Sequence, residues 1–415
     1  RAPHRSNAAA VPARPALSTQ TDVPIYEKRS IIPAPASLVF SWHARPGAFE
    51  RLAPPWEHLR VLSRYGGITD GSRVTFEVRR GPLRARWEAL HRDYVDGVQF
   101  TDVQVSGPFR RWEHIHRFEP DGDHRSALID IVDYALPFGP LGALAAGLLG
   151  ERFLDRLFSY RHRRIATDID RHLAIGRGRR LRLVLTGRTG WVLTQLAAFL
   201  STGGHLVHLF PTPDGVPNLP RHAAWGPTAV PDFAALEQAD AVINMGLEDL
   251  DELLTALTRR GSRARTVIAI PTLATDDTEP IPTASLDATV AGSSRRVVVL
   301  TTPGVLVAWP AIRGSVPRET LSPSVDGPLV PLDDLIGAVY FALCNDAVRG
   351  VYNVALPRAG ATAAVPAEVA EWVPELRVLR LRSPETDGRR ALSAEGFTPL
   401  NPDLATAIRA EIGWP

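Results

Sequence analysis

The apolar residues of this chain change period at residues 176–180, and that change limits the fold more than any other feature. Up to Ala135 they alternate along runs such as SRVTFEVRR, LRARWEALHRDY, VQFTDVQVSG, RRWEHIHRFEP and SALIDIVDYAL. Period-two runs parted by turns such as Asp96-Gly97 and Asp121-Gly122-Asp123 predict antiparallel strands with one buried face. YEKRSIIPA opens this half as a short strand, and PASLVFSWHARPGAFERLAP follows as two short helices broken at Pro46. A long helix over about residues 141–173 closes it, with Leu149, Phe153, Leu157 and Ile165 roughly on one face. Behind Gly176-Arg177-Gly178-Arg179-Arg180 the grammar differs. LRLVLTGRTGWVLTQLAAFLSTGGHLVHLF reads strand, glycine turn, helix, strand. ADAVINM, TVIAIP and RRVVVLTTP are unbroken apolar runs of the kind a parallel sheet buries on both faces, and helical stretches at Leu247–Arg260 and Leu332–Cys344 alternate with them. The expected organisation is a disordered lead-in over residues 1–24, an α+β domain over 25–174, a linker over 175–180 and an α/β doubly wound domain over 181–415.

Composition removes several classes of function. Forty-seven Lys and Arg against 45 Asp and Glu leave a net charge of +2, with no global push toward nucleic acid. One cysteine, Cys344, excludes a disulfide scaffold and a cysteine metal cluster. Residues 1–21 lack the apolar core of a signal peptide. The uncharged stretch Tyr134–Gly150 falls short of the roughly 20 residues of a membrane span and holds Pro137 and Pro140. A cytoplasmic protein without an integral membrane segment is expected, and its oligomeric state is left open. Lys28 is the only lysine, so 46 of the 47 basic residues are arginine. The Arg-rich stretches SYRHRR and GRGRR suit contacts to acidic partners or solvated helix ends equally.

Strand alternation sorts the candidate site residues of the first half. In RRWEHIHRFEP one face carries Trp112, His114, His116 and Phe118. In the strand before, Trp87, Ala89 and His91 share a face, and in the last strand Asp130 and Tyr134 share one. Histidines flanked by aromatics suit a pocket with acid–base capacity near neutral pH. His114, His116, Asp130 and Tyr134 are therefore the candidate catalytic groups, and Trp87, His91, Trp112 and Phe118 the candidate ligand contacts. Hydrogen-bonded surface histidines are the competing explanation. No third ligand for a metal stands out beside His114 and His116, so no metal site is expected.

Element order, together with APPWEHLRV, GGITDGSRVTFEV, DYALPFGPLG and FLDRLFSYRHRRIATDIDRH, resembles the SRPBCC superfamily (START, Bet v 1-like, polyketide cyclase-like). The resemblance implies a helix-grip fold, a curved antiparallel sheet around a long C-terminal helix, enclosing a cavity for a hydrophobic small molecule such as a polyketide or lipid. The Phe138–Leu149 run would pack in the core or cap the cavity mouth.

The second half resembles the atypical extended short-chain dehydrogenase/reductases of the epimerase-like group. LVLTGRTGWVLTQLAAFLSTGGHLVHLF, LEQADAVINM, VPLDDLIGAVYFALCNDAVRGVYNVALP and EGFTP carry the likeness. It implies a Rossmann-like domain with Gly187, Arg188, Thr189, Gly190, Trp191 and Asn244 around an NAD or NADP pyrophosphate. Departures are clear. Leu193 stands where the family has a third glycine, HLFPTPDG offers no acidic residue for an NAD ribose, and no Tyr-x-x-x-Lys pair can exist without a second lysine. Two readings follow. In one, the first half binds a hydrophobic molecule and promotes a non-redox cyclisation, dehydration or isomerisation, with the second half a scaffold or nucleotide sensor. In the other, an NAD(P)-dependent oxidoreductase or epimerase acts on a substrate that the first half presents. A protein of assembly or regulation is the third, non-enzymatic possibility.

Overall fold

The computed structural model describes residues 25–413 apart from 81–82, 138–149, 177, 188–189, 210–232, 248–249, 272–282, 303, 309–320, 323–328, 356–375 and 381–388. Among the described residues the first half is an α+β unit of seven strands and three helices: β1 (Ile25–Ile32), α1 (Ala36–Ala44), α2 (Ala48–Leu52), β2 (His58–Tyr65), β3 (Arg73–Arg80), β4 (Leu83–Val95), β5 (Gln99–Ser106), β6 (Arg111–Pro120), β7 (Ser126–Ala135) and α3 (Glu151–Ala174). All seven strands form one antiparallel sheet in the order β1-β7-β6-β5-β4-β3-β2. β6 alternates strictly between half-buried and buried residues, as its sequence demands. β4 runs for 13 residues and shifts register against β5 twice, between Glu88 and Ala89 and between Arg92 and Val95. Asp93, at the second shift, has φ of 54°. Such bulges bend a strand and increase its twist, which curls the sheet around α3. α3 buries Leu154, Leu157, Phe158, Ile165 and Ile169 in two apolar clusters shared with the sheet.

β2 is not evident from period alone, because four of its eight residues are half-buried and the other four exposed. As an edge strand it has no fully buried face to write a pattern. The closing helix begins at Glu151 within the described residues, and the Phe138–Leu149 run lies outside them.

The second half carries β8 (Arg182–Gly187), α4 (Gly190–Thr202), β9 (Leu206–Leu209), α5 (Phe233–Glu237), β10 (Ala241–Leu247), α6 (Leu250–Arg259), β11 (Thr266–Pro271), α7 (Thr283–Gly292), β12 (Arg296–Thr301), β13 (Gly304–Ala308), β14 (Leu321–Ser322), β15 (Val330–Pro331), α8 (Leu332–Cys344), β16 (Gly350–Asn353), β17 (Leu376–Arg380) and α9 (Leu404–Ile412). Six strands form a parallel sheet in the order β16-β12-β11-β10-β8-β9. Its central residues are buried on both faces, one face in each of two apolar clusters, which explains the unbroken apolar runs. A smaller four-stranded sheet, β14-β17-β13-β15, was not legible as such in the sequence. Among the described residues no helix is long and apolar enough to cross a membrane.

The two halves meet through buried charge. Arg51 of α2 makes a bidentate pair with Asp168 of α3 (2.8 and 2.6 Å) and reaches Gln195 (3.0 Å) and Asp333 (3.3 Å) across the junction. Arg164 pairs with Asp333, and Arg171 with Asp334 (2.8 Å). Asp334 also accepts from the backbone of Leu400 and the side chain of Asn401. The aspartates of VPLDDL are therefore engaged at the junction, and in SYRHRR Tyr160, His162 and Arg164 are buried rather than solvated.

Candidate functional site

Between the curled sheet and its helices lies a cavity of about 820 Å³. Most of its wall is aromatic or aliphatic. Phe76 stacks on Trp87 at 5.5 Å, Trp87 meets Trp112 edge-on at 5.2 Å, and Phe49, Phe109 and Phe153 complete that side. The other side is polar, lined by His43, His91, Asp102, His114, His116 and Arg161.

Strand register assembles the polar wall. Across β4, β5 and β6, His91 is paired with Asp102 and Asp102 with His114, while His116 is paired with Asp130 of β7. Nε2 of His114 lies 2.9 Å from Oδ1 of Asp130, and Nε2 of His116 lies 3.2 Å from Oδ2 of Asp102. Nδ1 of His116 is 2.7 Å from Oδ1 of Asp130, and Nε2 of His91 is 2.8 Å from Oδ1 of Asp102. Both are close contacts, although His116 Nδ1 and Asp102 Oδ1 fall outside ideal hydrogen-bonding geometry. Behind the wall His162 of α3 holds Oδ2 of Asp130 at 2.5 Å, and its other nitrogen contacts the Ser30 hydroxyl at 2.8 Å.

The electrostatics follow from burial set against these carboxylates. Burial, with His116 beside it, pushes His114 down to about 4, and burial likewise takes His43 to about 3. His116 is also buried, but Asp130 and Asp102 outweigh that and raise it to about 9. Asp102 raises His91 in the same way, against its burial. Burial alone would raise the two carboxyls, yet the surrounding imidazoles hold both well below their usual range.

The structure brings His114, His116 and Asp130 together, with Asp130 behind the wall and the two histidines on it. Tyr134 lies elsewhere on the lining, opposite Trp112, and burial raises its pKa. Trp87, His91 and Trp112 line the cavity. Phe118, expected beside them, is not among the lining residues. It packs beneath α1 against Phe40 and His43, because the helix covers that end of β6. Sequence reasoning missed Asp102, His43, His162 and Arg161. Phe100 and Asp102 share a face of β5, so alternation alone could have nominated the aspartate; the other three needed the helices docked.

In the second half Arg188 and Thr189 lie outside the described residues. Gly187 ends β8 at φ of 120°, and a Cβ there would stand 1.6 Å from the Met245 carbonyl oxygen. Only glycine fits, and the approach of β10 accounts for it without a nucleotide. Gly190 opens α4, while Trp191 packs partly buried against the core beside the buried Leu193. Asn244 donates to the Thr186 hydroxyl (2.7 Å), and its buried Oδ1 meets no hydrogen-bond donor. Tyr340 is buried between Phe199 and His205, and Tyr352 donates to Glu395 and to the Arg349 carbonyl. Lys28 is held by Asp155 and Ser159 in the first half.

Residues 32–158 match the family described as polyketide cyclase / dehydrase and lipid transport. The whole fold is similar to a nucleoside-diphosphate sugar epimerase from Corynebacterium glutamicum, at 20% identity and a TM-score of 0.66, covering 94% of this chain and 90% of that one. Shorter similarities reach a START superfamily protein from Mycobacterium smegmatis (17% identity, TM-score 0.26, 32% of this chain and 93% of that one). They also reach the Zhui aromatase/cyclase of a Streptomyces species (16% identity, TM-score 0.29, 37% and 96%). No curated protein matches the sequence. Residues 32–158 are thus similar to the polyketide cyclase / dehydrase and lipid transport family, within a chain whose whole fold is similar to that of a nucleoside-diphosphate sugar epimerase.

Proposed function

We propose that the first half binds a hydrophobic small molecule of polyketide or lipid type in its cavity and promotes a non-redox step on it, a cyclisation, dehydration or isomerisation. One observation carries this reading: an aromatic cavity of about 820 Å³, large enough for a drug-sized ligand, ends on a wall of histidines and an aspartate. The apolar side would hold rings or chains by contact area. A carbonyl or hydroxyl at the other end would meet imidazoles able to polarise it and to carry a proton between neighbouring atoms, which enolisation and loss of water both need. Trp87, His91 and Trp112 would position the ligand, and His114 and His116 would face its reacting end.

The second half we read as a Rossmann-like scaffold, since its parallel strand order reverses between β9-β8 and β10, the usual crevice of such sheets. NAD(P) fits it only in part. The orphaned Asn244 Oδ1 beside Gly187 favours a bound polar molecule. The Tyr–Lys pair is lacking, however, and no hydride step is drawn. Native mass spectrometry of the full chain, as purified and with added NADPH, tests both parts. A co-purifying apolar molecule without nucleotide supports the reading. Protein that neither retains an apolar molecule nor binds a hydrophobic dye refutes it, and titratable NADPH restores the oxidoreductase alternative.

A further inference from the structure

We propose that Asp102, His114 and His116 form a binding site for one divalent first-row cation, such as Zn²⁺ or Co²⁺, on the polar wall of the cavity. Oδ2 of Asp102 stands 3.2 Å from Nε2 of His116 and 3.8 Å from Nδ1 of His114. All three residues present a ligand atom within 4.8 Å of the others. Around a cation with nitrogen and oxygen ligands at about 2.0–2.2 Å, neighbouring ligand atoms stand roughly 3.0–3.5 Å apart. One edge is therefore already at that length, and small side-chain rotations close the others.

Orientation carries the argument beyond proximity. Each ligand atom faces the common point because the other polar atom of its side chain is held from outside. Asp130 takes the Nε2 side of His114 at 2.9 Å and the Nδ1 side of His116 at 2.7 Å. The opposite nitrogens are thus the ones turned to Asp102. A carboxylate on the far nitrogen is the usual support of a metal-binding histidine, because it sets the tautomer and the ring angle. Asp130 is itself braced by His162 through its second oxygen, and His91 engages the Oδ1 of Asp102. Two imidazoles and one carboxylate leave coordination positions open, and all three residues line the cavity. A ligand oxygen could fill one and be polarised by the cation. The site rests on the geometry of the wall and is independent of what the apolar side binds.

The test uses the full chain, dialysed against a chelator and titrated with CoCl₂ and then ZnCl₂. Cobalt absorption in the visible range and metal content after gel filtration are the readouts. The expected result is one cobalt per chain, displaced by zinc, and lost in Asp102→Asn and in His116→Ala. His162→Gln, one contact behind Asp130, should keep the stoichiometry but weaken binding about 10–100-fold. His124→Ala, on an exposed turn, should change nothing. Cobalt held equally by the wild type and by an Asp102→Asn variant with unchanged near-UV circular dichroism overturns the site, as does loss of cobalt in His124→Ala. Hydrophobic-dye binding on the chelated protein separates the two proposals. Dye binding without stoichiometric metal overturns this one alone, and metal binding without dye overturns the ligand reading alone.

Discussion

Asp168→Ala tests how the halves are joined. The Asp168 and Arg51 side chains are 2% and 1% exposed, and the carboxylate takes two of the guanidinium's hydrogen bonds. Removing it leaves the Arg51 cation buried, with the Gln195 amide, the Phe199 ring at 5.6 Å and an Asp333 already paired to Arg164. Stranding one member of such a pair costs about 3–5 kcal/mol. For a chain of 415 residues, unfolding entropy near 2.1 cal/mol/K per residue makes that a fall of roughly 5 °C in Tm. Arg51→Met combined with Asp168→Leu should be far less harmful than the single changes added together, because apolar groups of similar volume leave no uncompensated charge. Urea unfolding followed by tryptophan fluorescence and far-UV circular dichroism measures all three variants. A loss below about 1 kcal/mol for Asp168→Ala, the range of an exposed ion pair, would refute the reasoning, as would a double variant no better than the sum.

Gly187→Ala should abolish folding of the second half, because its Cβ collides with the Met245 carbonyl at a φ that side chains avoid; soluble yield and circular dichroism report it. Trp87→Ala should weaken binding of a hydrophobic dye by about tenfold through lost contact area, with little change in Tm, and unchanged affinity would place the dye outside the cavity. His205 is held at about 4 by burial, so its neutral form is the folded one. Its contribution is present above the unfolded value near 6.5 and is lost as pH falls toward about 4, by roughly 3 kcal/mol. His205→Asn, which keeps an acceptor for the Leu181 amide, should flatten the decline of Tm as pH falls from about 6.5 toward about 4, and an identical pH profile would count against it.

The paired histidines and aspartates of the polar wall come from four separate strands. None of the four strands carries more than two of its members: His91 on β4, Asp102 on β5, His114 and His116 on β6, Asp130 on β7. That division explains why His91, His114, His116 and Asp130 could be nominated strand by strand while their pairing through Asp102 could not.

Period alone determined much. The strict alternation of β6 put Trp112, His114 and His116 on one face, since successive side chains of a strand must point to opposite sides. Unbroken apolar runs marked β10, β11 and β12 as strands buried on both faces, and a single lysine excluded a Tyr–Lys pair anywhere in the second half. These are local or compositional properties, readable without knowing what lies nearby. The tertiary structure decided the rest. Alternation could not tell that Phe118 would be covered by α1, that Asp102 would face His114, or that His162 and Arg164 of an apparently solvated SYRHRR would be buried. Those outcomes depend on register and on helix docking between residues far apart in the chain, such as Asp130 with His162 and Arg51 with Asp333. Such pairings exist only once the sheet has curled, because burial makes an unpaired charge costly and so selects the partner.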